Sequence, residues 1–149
     1  MTTKRILPPA YAFLSIIAIV GLHHWMPIRR IIPSPWNWMG VVPQGVGMAI
    51  ILIAANAFAK VNTTIRPFEE SVCLVTDGLF RVSRNPIYLG VVLTLLGTAV
   101  LMGSLTPYAV VLLFFKLMDV VFVRTEERML EDRFGEAYVA YKQQVRRWI

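Results

Sequence analysis

The chain is poor in cysteine, in histidine and in charge. Its single cysteine, Cys73, excludes an internal disulfide and suits a small apolar filler. Its two histidines, His23 and His24, are adjacent and have no third ligand in register, so the sequence offers no metal centre. Charged residues make up 16% of the 149 positions, against 56% hydrophobic ones. So little polar surface excludes an ordinary soluble domain and puts a membrane protein first. There is no internal repeat and no low-complexity tract, and the length allows one domain, residues 1–149, with no second folded unit. Acidic residues are also scarce: nine Asp and Glu face fifteen Lys and Arg, a formal net charge of +6. In a soluble protein that excess would suggest nucleic acid. Here the basic residues flank apolar runs, which points to membrane orientation and anionic lipid and away from a nucleic-acid partner.

What is present is a set of long apolar runs. Residues 9–26 and 40–59 are each apolar enough for one crossing, about 27–30 Å of helix. Lys4 and Arg5 before the first run mimic a signal peptide. The run lacks a small-residue cleavage pattern, so it is expected to be retained as a span. From Asn85 to Phe115 there is no charged residue, and a single helix of that length would extend about 46 Å, too far for a hydrocarbon core of about 30 Å. Gly103-Ser104-Leu105-Thr106-Pro107 supplies stop and restart signals, so the segment is expected to be a tight helical hairpin, 87–102 and 106–123. The fold expected is therefore all-α: an integral membrane bundle of four transmembrane helices, a loop, and a C-terminal amphipathic helix over about 124–145. Twelve Lys and Arg fall on the side of both termini, against Arg29 and Arg30 on the other, which predicts both termini in the cytoplasm, with a bacterial inner membrane as the expected location. Trp25, Trp36 and Trp38 then belong at the outer interface, and Pro33 and Pro35 keep the outer loop from being helical.

Two inner segments flank the hairpin. In the first, Asn62 to Tyr88, Pro67, Asp77-Gly78 and Pro86 predict loop, interrupted by the apolar patch Val72–Val75, which needs something to pack against. Pro86 suits the first turn of the third span. Free amide donors behind it, with Arg81 and Arg84, make a place for a carboxylate or phosphate. Ordinary flanking arginines are the plainer explanation. In the second, Leu130, Phe134, Tyr138, Tyr141 and Val145 recur at three- and four-residue intervals and predict one apolar stripe, with a bend or break at Gly135. Glu126 and Glu127 lie at its membrane end. If the helix continues from the fourth span, no free N-terminus stabilises them, and Arg81, Arg84 and Arg124 become their candidate partners. Lys116 and Asp119, three residues apart in the fourth span, are expected to pair with each other or to face the bundle interior.

The order Thr64…Pro67, Leu74-Val75-Thr76-Asp77-Gly78-Leu79-Phe80, Arg84-Asn85-Pro86-Ile87-Tyr88-Leu89-Gly90, and then Glu126-Glu127…Leu130…Phe134-Gly135-Glu136…Tyr138…Tyr141 resembles the isoprenylcysteine carboxyl methyltransferase family and its bacterial relatives. Phospholipid N-methyltransferases share the general pattern. These are small integral membrane enzymes that use S-adenosylmethionine. The resemblance begins after the second span, and the first two spans carry no motif. It implies that Cys73, Leu74 and Val75 pack around the adenosine and that Phe80 also contacts the cofactor. It further implies that Arg84, Asn85, Pro86, Ile87 and Tyr88 bind the methionine part, and that Glu126, or second Glu127, binds the cofactor too. Arg84 and Arg124 are the candidate catalytic cations, although the spacing of Arg124 to Glu126 departs from the eukaryotic pattern. Asn85 stands where relatives have histidine. It can donate a hydrogen bond but does not titrate near neutral pH, so it suits a holding role rather than a base.

The function implied is methyl transfer from S-adenosylmethionine, leaving S-adenosylhomocysteine, to a lipophilic acceptor arriving through the bilayer: a carboxylate, thiol or amine on a lipid or lipophilic small molecule. The alternative is a non-catalytic membrane module of the same fold that binds a lipid or a partner membrane protein. Departures at Asn85, Phe80 and Arg124 leave it open.

Overall fold

The computed structural model describes residues 8–60 and 73–149. Its regular structure is helical throughout the described residues, and the only extended pairing there is an isolated antiparallel bridge between Arg30 and Ser104. Helix α1 (Pro8–Trp25) starts on two prolines, which are tolerated in a first turn because its amides have no helical acceptor. After the proline-rich connection, a 3₁₀ turn (Trp36–Gly40) runs straight into α2 (Val41–Lys60). A second 3₁₀ turn (Gly78–Arg81) precedes α3 (Pro86–Met102). The expected hairpin is present. Helix α3 stops where Gly103 takes φ +71°, a conformation that favours glycine, and α4 (Thr106–Leu117) restarts with Pro107 in its first turn. The hairpin turn is tied to the α1–α2 connection, since Gly103 O accepts from the amides of Ile31 (2.9 Å) and Ile32 (3.1 Å).

Helix α4 does not end at the edge of the apolar run. It continues through a π-helical segment (Met118–Val123) into α5 (Arg124–Phe134), so no free N-terminus lies beneath Glu126 and Glu127. Gly135, at φ +54°, then breaks the helix as expected, and α6 (Glu136–Gln144) follows. Two helical runs are long and apolar enough to cross a membrane by length and composition, Trp36–Lys60 and Thr106–Phe134; Pro86–Met102 is a shorter apolar helix.

Helix α3 is central: it packs against α1, α2 and α4, while α1 also packs on α4. The main core gathers Ile19, Tyr88, Leu95, Ala99, Val111, Phe114, Met118 and Phe122. The α2–α3 contact is a backbone contact through two glycine pairs. A Cβ on Gly90 would lie 2.7 Å from Gly47 O, and one on Gly97 would lie 2.5 Å from Gly40 O. Neither approach leaves room for a side chain. A second, smaller core forms where α6 folds back: Tyr138, Tyr141 and Val145, with Leu74, Leu130 and Phe134 packed against it. That is the predicted apolar stripe, and it gives Leu74 its packing partner. Thr64, Pro67 and Val72 lie outside the described residues.

Candidate functional site

The two motif regions, nearly forty residues apart in the chain, meet at the first turn of α3. The Tyr88 hydroxyl donates to Glu126 Oε1 at 2.6 Å. Helix α5 brings the acid there only because it prolongs α4 without a break. Glu126 Oε2 makes no hydrogen bond among the described residues. One position on, about 100° around the helix, the buried Glu127 carboxylate faces Arg84, with Nη1 to Oε1 at 3.2 Å, and both side chains are less than a tenth exposed. Arg147 holds Glu127 more closely, with Nη2 to Oε2 at 2.6 Å and Nε 3.1 Å from each oxygen. Arg84 Nε is buried and makes no hydrogen bond among the described residues.

The turn before α3 is held by the chain's end. Arg84 N–H donates to Arg146 O (3.0 Å), while Ser83 Oγ (3.3 Å) and Asn85 Nδ2 (3.1 Å) both donate to Arg147 O. Asn85 therefore does not cap α3 with its side chain, and its backbone N–H goes to Ser83 Oγ at 3.1 Å. Pro86 is buried at the first helical position, with Ile87 half-buried beside it. Phe80 is buried edge-on against Phe58 of α2, ring centroids 5.2 Å apart, and its carbonyl accepts from the Tyr141 hydroxyl at 2.6 Å. Leu74 and Val75 are half-buried and Cys73 is exposed.

Three of the expected partnerships resolve differently. Arg81 pairs with Asp77 at 2.8 Å on the exposed surface and does not reach the glutamates. Arg124 turns back to Asp119, with Nη2 to Oδ2 at 3.0 Å, rather than toward Glu126 or Glu127. Asp119 faces the interior, as one expectation had it, but without Lys116, which is exposed. Asp119 binds Arg124, the Nε1–H of Trp148 (3.2 Å) and Arg147 (3.5 Å). The π-helical turn carries Asp119 to that position. The residue that sequence reasoning missed is Arg147. It stands in an Arg-Arg-Trp run that reads as charge flanking a membrane helix, and no local pattern marks it as a partner of positions 83–85, 119 and 127.

Charge and burial set the chemistry available. Arg84, Arg124 and Arg147 stand against Glu127 and Asp119, with Glu126 the third carboxyl group beside the start of α3. The hydrogen bond from Arg147 to Glu127 raises the guanidinium pKa further, so it stays cationic. Burial pushes the Tyr138 hydroxyl well above its usual range, with Glu127 adding to the shift and Arg84 opposing it. Burial pushes Tyr141 up to about 12, and Arg84 opposes it. Both tyrosines remain neutral donors at physiological pH. Among the described residues, no three His, Cys, Asp or Glu side chains come together.

Known proteins resemble the chain in sequence. The chain is 31% identical over 138 residues, 87% of its length, to protein-S-isoprenylcysteine O-methyltransferase A of Arabidopsis thaliana. It is 36% identical over 95 residues, 62% of its length, to protein-S-isoprenylcysteine O-methyltransferase of Schizosaccharomyces pombe. A 63-residue stretch, 42% of the chain, is 40% identical to the cobalt-zinc-cadmium resistance protein CzcN of Cupriavidus metallidurans. The chain spans 63%, 38% and 29% of these three relatives, respectively. The family model of phospholipid methyltransferases matches residues 36–137, from the turn before α2 to the start of α6, and so includes both halves of the Tyr88–Glu126 contact. On that match the chain belongs to the phospholipid methyltransferase family.

Proposed function

We propose that this protein is an integral membrane methyltransferase that takes its methyl group from S-adenosylmethionine, bound where α3 begins, and passes it to a lipophilic acceptor entering from the bilayer. The observation that carries the proposal is the 2.6 Å contact between Tyr88 and Glu126, which joins the two motif regions beside a buried arginine. In this proposal α1, α2, α3 and the α4–π run are four spans, with both termini and the site on the cytoplasmic side, where the donor is made available.

The donor set suits a zwitterion carrying a flat base. Arg84, with its buried Nε free among the described residues, and the amides at the start of α3 would take a carboxylate. Glu126, one oxygen held by Tyr88, would take an ammonium group. Cys73, Leu74, Val75 and Phe80 would line the adenine slot, with Pro86 and Ile87 closing it below. Asn85 would keep the turn in shape through Arg147 O rather than move a proton. Arg124, half exposed at the edge of the apolar run, would meet an anionic acceptor group and not the donor. Bound there, S-adenosylmethionine supplies a methyl group already activated on a sulfonium, and S-adenosylhomocysteine remains. The protein's own contribution is alignment, and an acceptor carboxylate or thiolate, already ionised, needs no base built from Asn85.

The test is calorimetric titration of the purified full chain in detergent with S-adenosylhomocysteine. Glu126→Gln keeps the bond to Tyr88 but loses the charge, and Arg84→Ala leaves Glu127 to Arg147. Binding by the parent chain, weakened at least ~10-fold in each variant, is expected, since a charged hydrogen bond is worth about 1.5–3 kcal/mol. No binding, or binding unchanged in both variants, would favour a non-catalytic membrane module.

A further inference from the structure

The last residues of the chain are bound on three sides. The backbone of Arg146 and Arg147 lies along residues 83–85, accepting from Arg84 N–H (3.0 Å), Ser83 Oγ (3.3 Å) and Asn85 Nδ2 (3.1 Å). The Arg147 guanidinium crosses to α5 and takes both oxygens of Glu127, then reaches Asp119 Oδ1 at 3.5 Å. Trp148 donates to the same Asp119 oxygen at 3.2 Å and packs on the Phe115 ring, centroids 4.7 Å apart. One residue thus joins the turn before α3, the π-helical segment and α5.

The competition for Glu127 has a consequence for Arg84. Alone with Glu127, Arg84 would form a closed, buried pair with little charge left for a ligand. Arg147 holds the carboxylate at 2.6 Å against 3.2 Å for Arg84, with three close contacts against one. The Arg84 charge is therefore only partly cancelled, and its Nε stays without an acceptor among the described residues. With Glu127 fixed in this way, its neighbour Glu126 is held facing Tyr88.

We infer that Arg147 is the positioning residue of the site: its guanidinium clamps Glu127 and so keeps Arg84 available to an anion and Glu126 in register with Tyr88, an inference that rests on the proposed methyltransferase function. Glu127 then belongs to the clamp and is not a ligand of the methyl donor.

The experiment compares S-adenosylhomocysteine affinity and thermal unfolding for the full chain in detergent. Arg147→Ala keeps the carbonyl that anchors Ser83 and Asn85 and removes only the guanidinium. It is expected to weaken binding on the order of 10–100-fold at a temperature where the variant is folded. Arg147→Lys restores a cation without the planar fork, so it recovers part of the affinity. Glu127→Gln combined with Arg147→Gln removes the clamp together with the carboxylate that closes on Arg84, so affinity recovers in part relative to Arg147→Ala, while the melting temperature stays below the parent value because Arg84 is left buried without an ion-pair partner. Gly97→Ala, destabilised at the far end of α3, serves as the control and keeps parental affinity. Should Arg147→Ala not fold, Arg147→Lys carries the comparison. Single Arg147 variants that bind within twofold of the parent overturn the inference alone, whereas a parent chain that binds nothing overturns the methyltransferase proposal with it.

Discussion

A methyl group added at Gly97 tests the packing that presents the site. Its Cβ would lie 2.5 Å from Gly40 O, 2.6 Å from Gln44 N and 2.7 Å from Gln44 Cβ. Ordinary non-bonded contact needs about 3.5 Å, so α2 and α3 must part locally by about 1 Å. The obstructing atoms are mostly backbone, which no rotamer change can relieve. Overpacking then costs about 2–3 kcal/mol, the upper part of its usual range. Alanine is about 0.8–1 kcal/mol better than glycine within a helix, which offsets part of that cost. A net loss of about 1–2 kcal/mol remains, equivalent to about 2–8 °C in melting temperature for a chain of this size. Thermal unfolding of Gly97→Ala and of the parent, in the same detergent, measures it. An unchanged or raised melting temperature would refute the close backbone crossing. Gly90→Ala supplies the contrast. Its Cβ would meet Gly47 O and Ile51 Cγ1, both at 2.7 Å, and the isoleucine side chain can give way. The stability loss should be smaller, but Gly90 lies two residues beyond Tyr88. Displacing this turn of α3 draws the tyrosine from Glu126, so S-adenosylhomocysteine affinity should fall in Gly90→Ala and hold in Gly97→Ala.

Tyr88→Phe removes the donor to Glu126 and leaves the ring in the core, so the fold should persist while S-adenosylhomocysteine binding weakens about 5–10-fold, read by calorimetry. Tyr141→Phe loses the buried 2.6 Å bond to Phe80 O and should destabilise the chain by about 1–2 kcal/mol at neutral pH. The same substitution should flatten the alkaline limb of the stability profile. The folded Tyr141 titrates near 12 and an unfolded tyrosine near pH 10, so its contribution is complete below pH 10 and is lost as pH rises toward 12. Melting curves between pH 9 and 11.5 that run parallel for the two proteins would contradict that assignment.

Much of the fold follows from local signals. A charge-free stretch too long for one crossing, interrupted by Gly103 and Pro107, can only double back, and α3 and α4 do so. Aromatic and aliphatic residues at three- and four-residue spacing from Leu130 to Val145 must share a face, and they form the second core on either side of the Gly135 break. The candidate site was legible in part. Arg84, Tyr88, Glu126 and Glu127 lie together at the start of α3, yet the glutamates divide their partners in a way no spacing foretells. Gly40, Gly47, Gly90 and Gly97 stand one heptad apart in pairs, a signal present in the chain whose meaning depends on which helix lies opposite.

Sequence alone settles the properties that arise from each segment's own chemistry: helical type, apolar length, where helices stop, and the family to which the motifs point. Partnership across the chain has another origin. Lys116 and Asp119 are neighbours on paper, but Asp119 binds Arg147 and Trp148 because a π-helical turn aims it inward and the chain's end returns to meet it. Arg147 is one basic residue among fifteen until folding removes water from around Glu127. A buried carboxylate must then be satisfied by whichever cations the backbone brings within reach, and that choice is made by the packed helices rather than by any stretch of sequence.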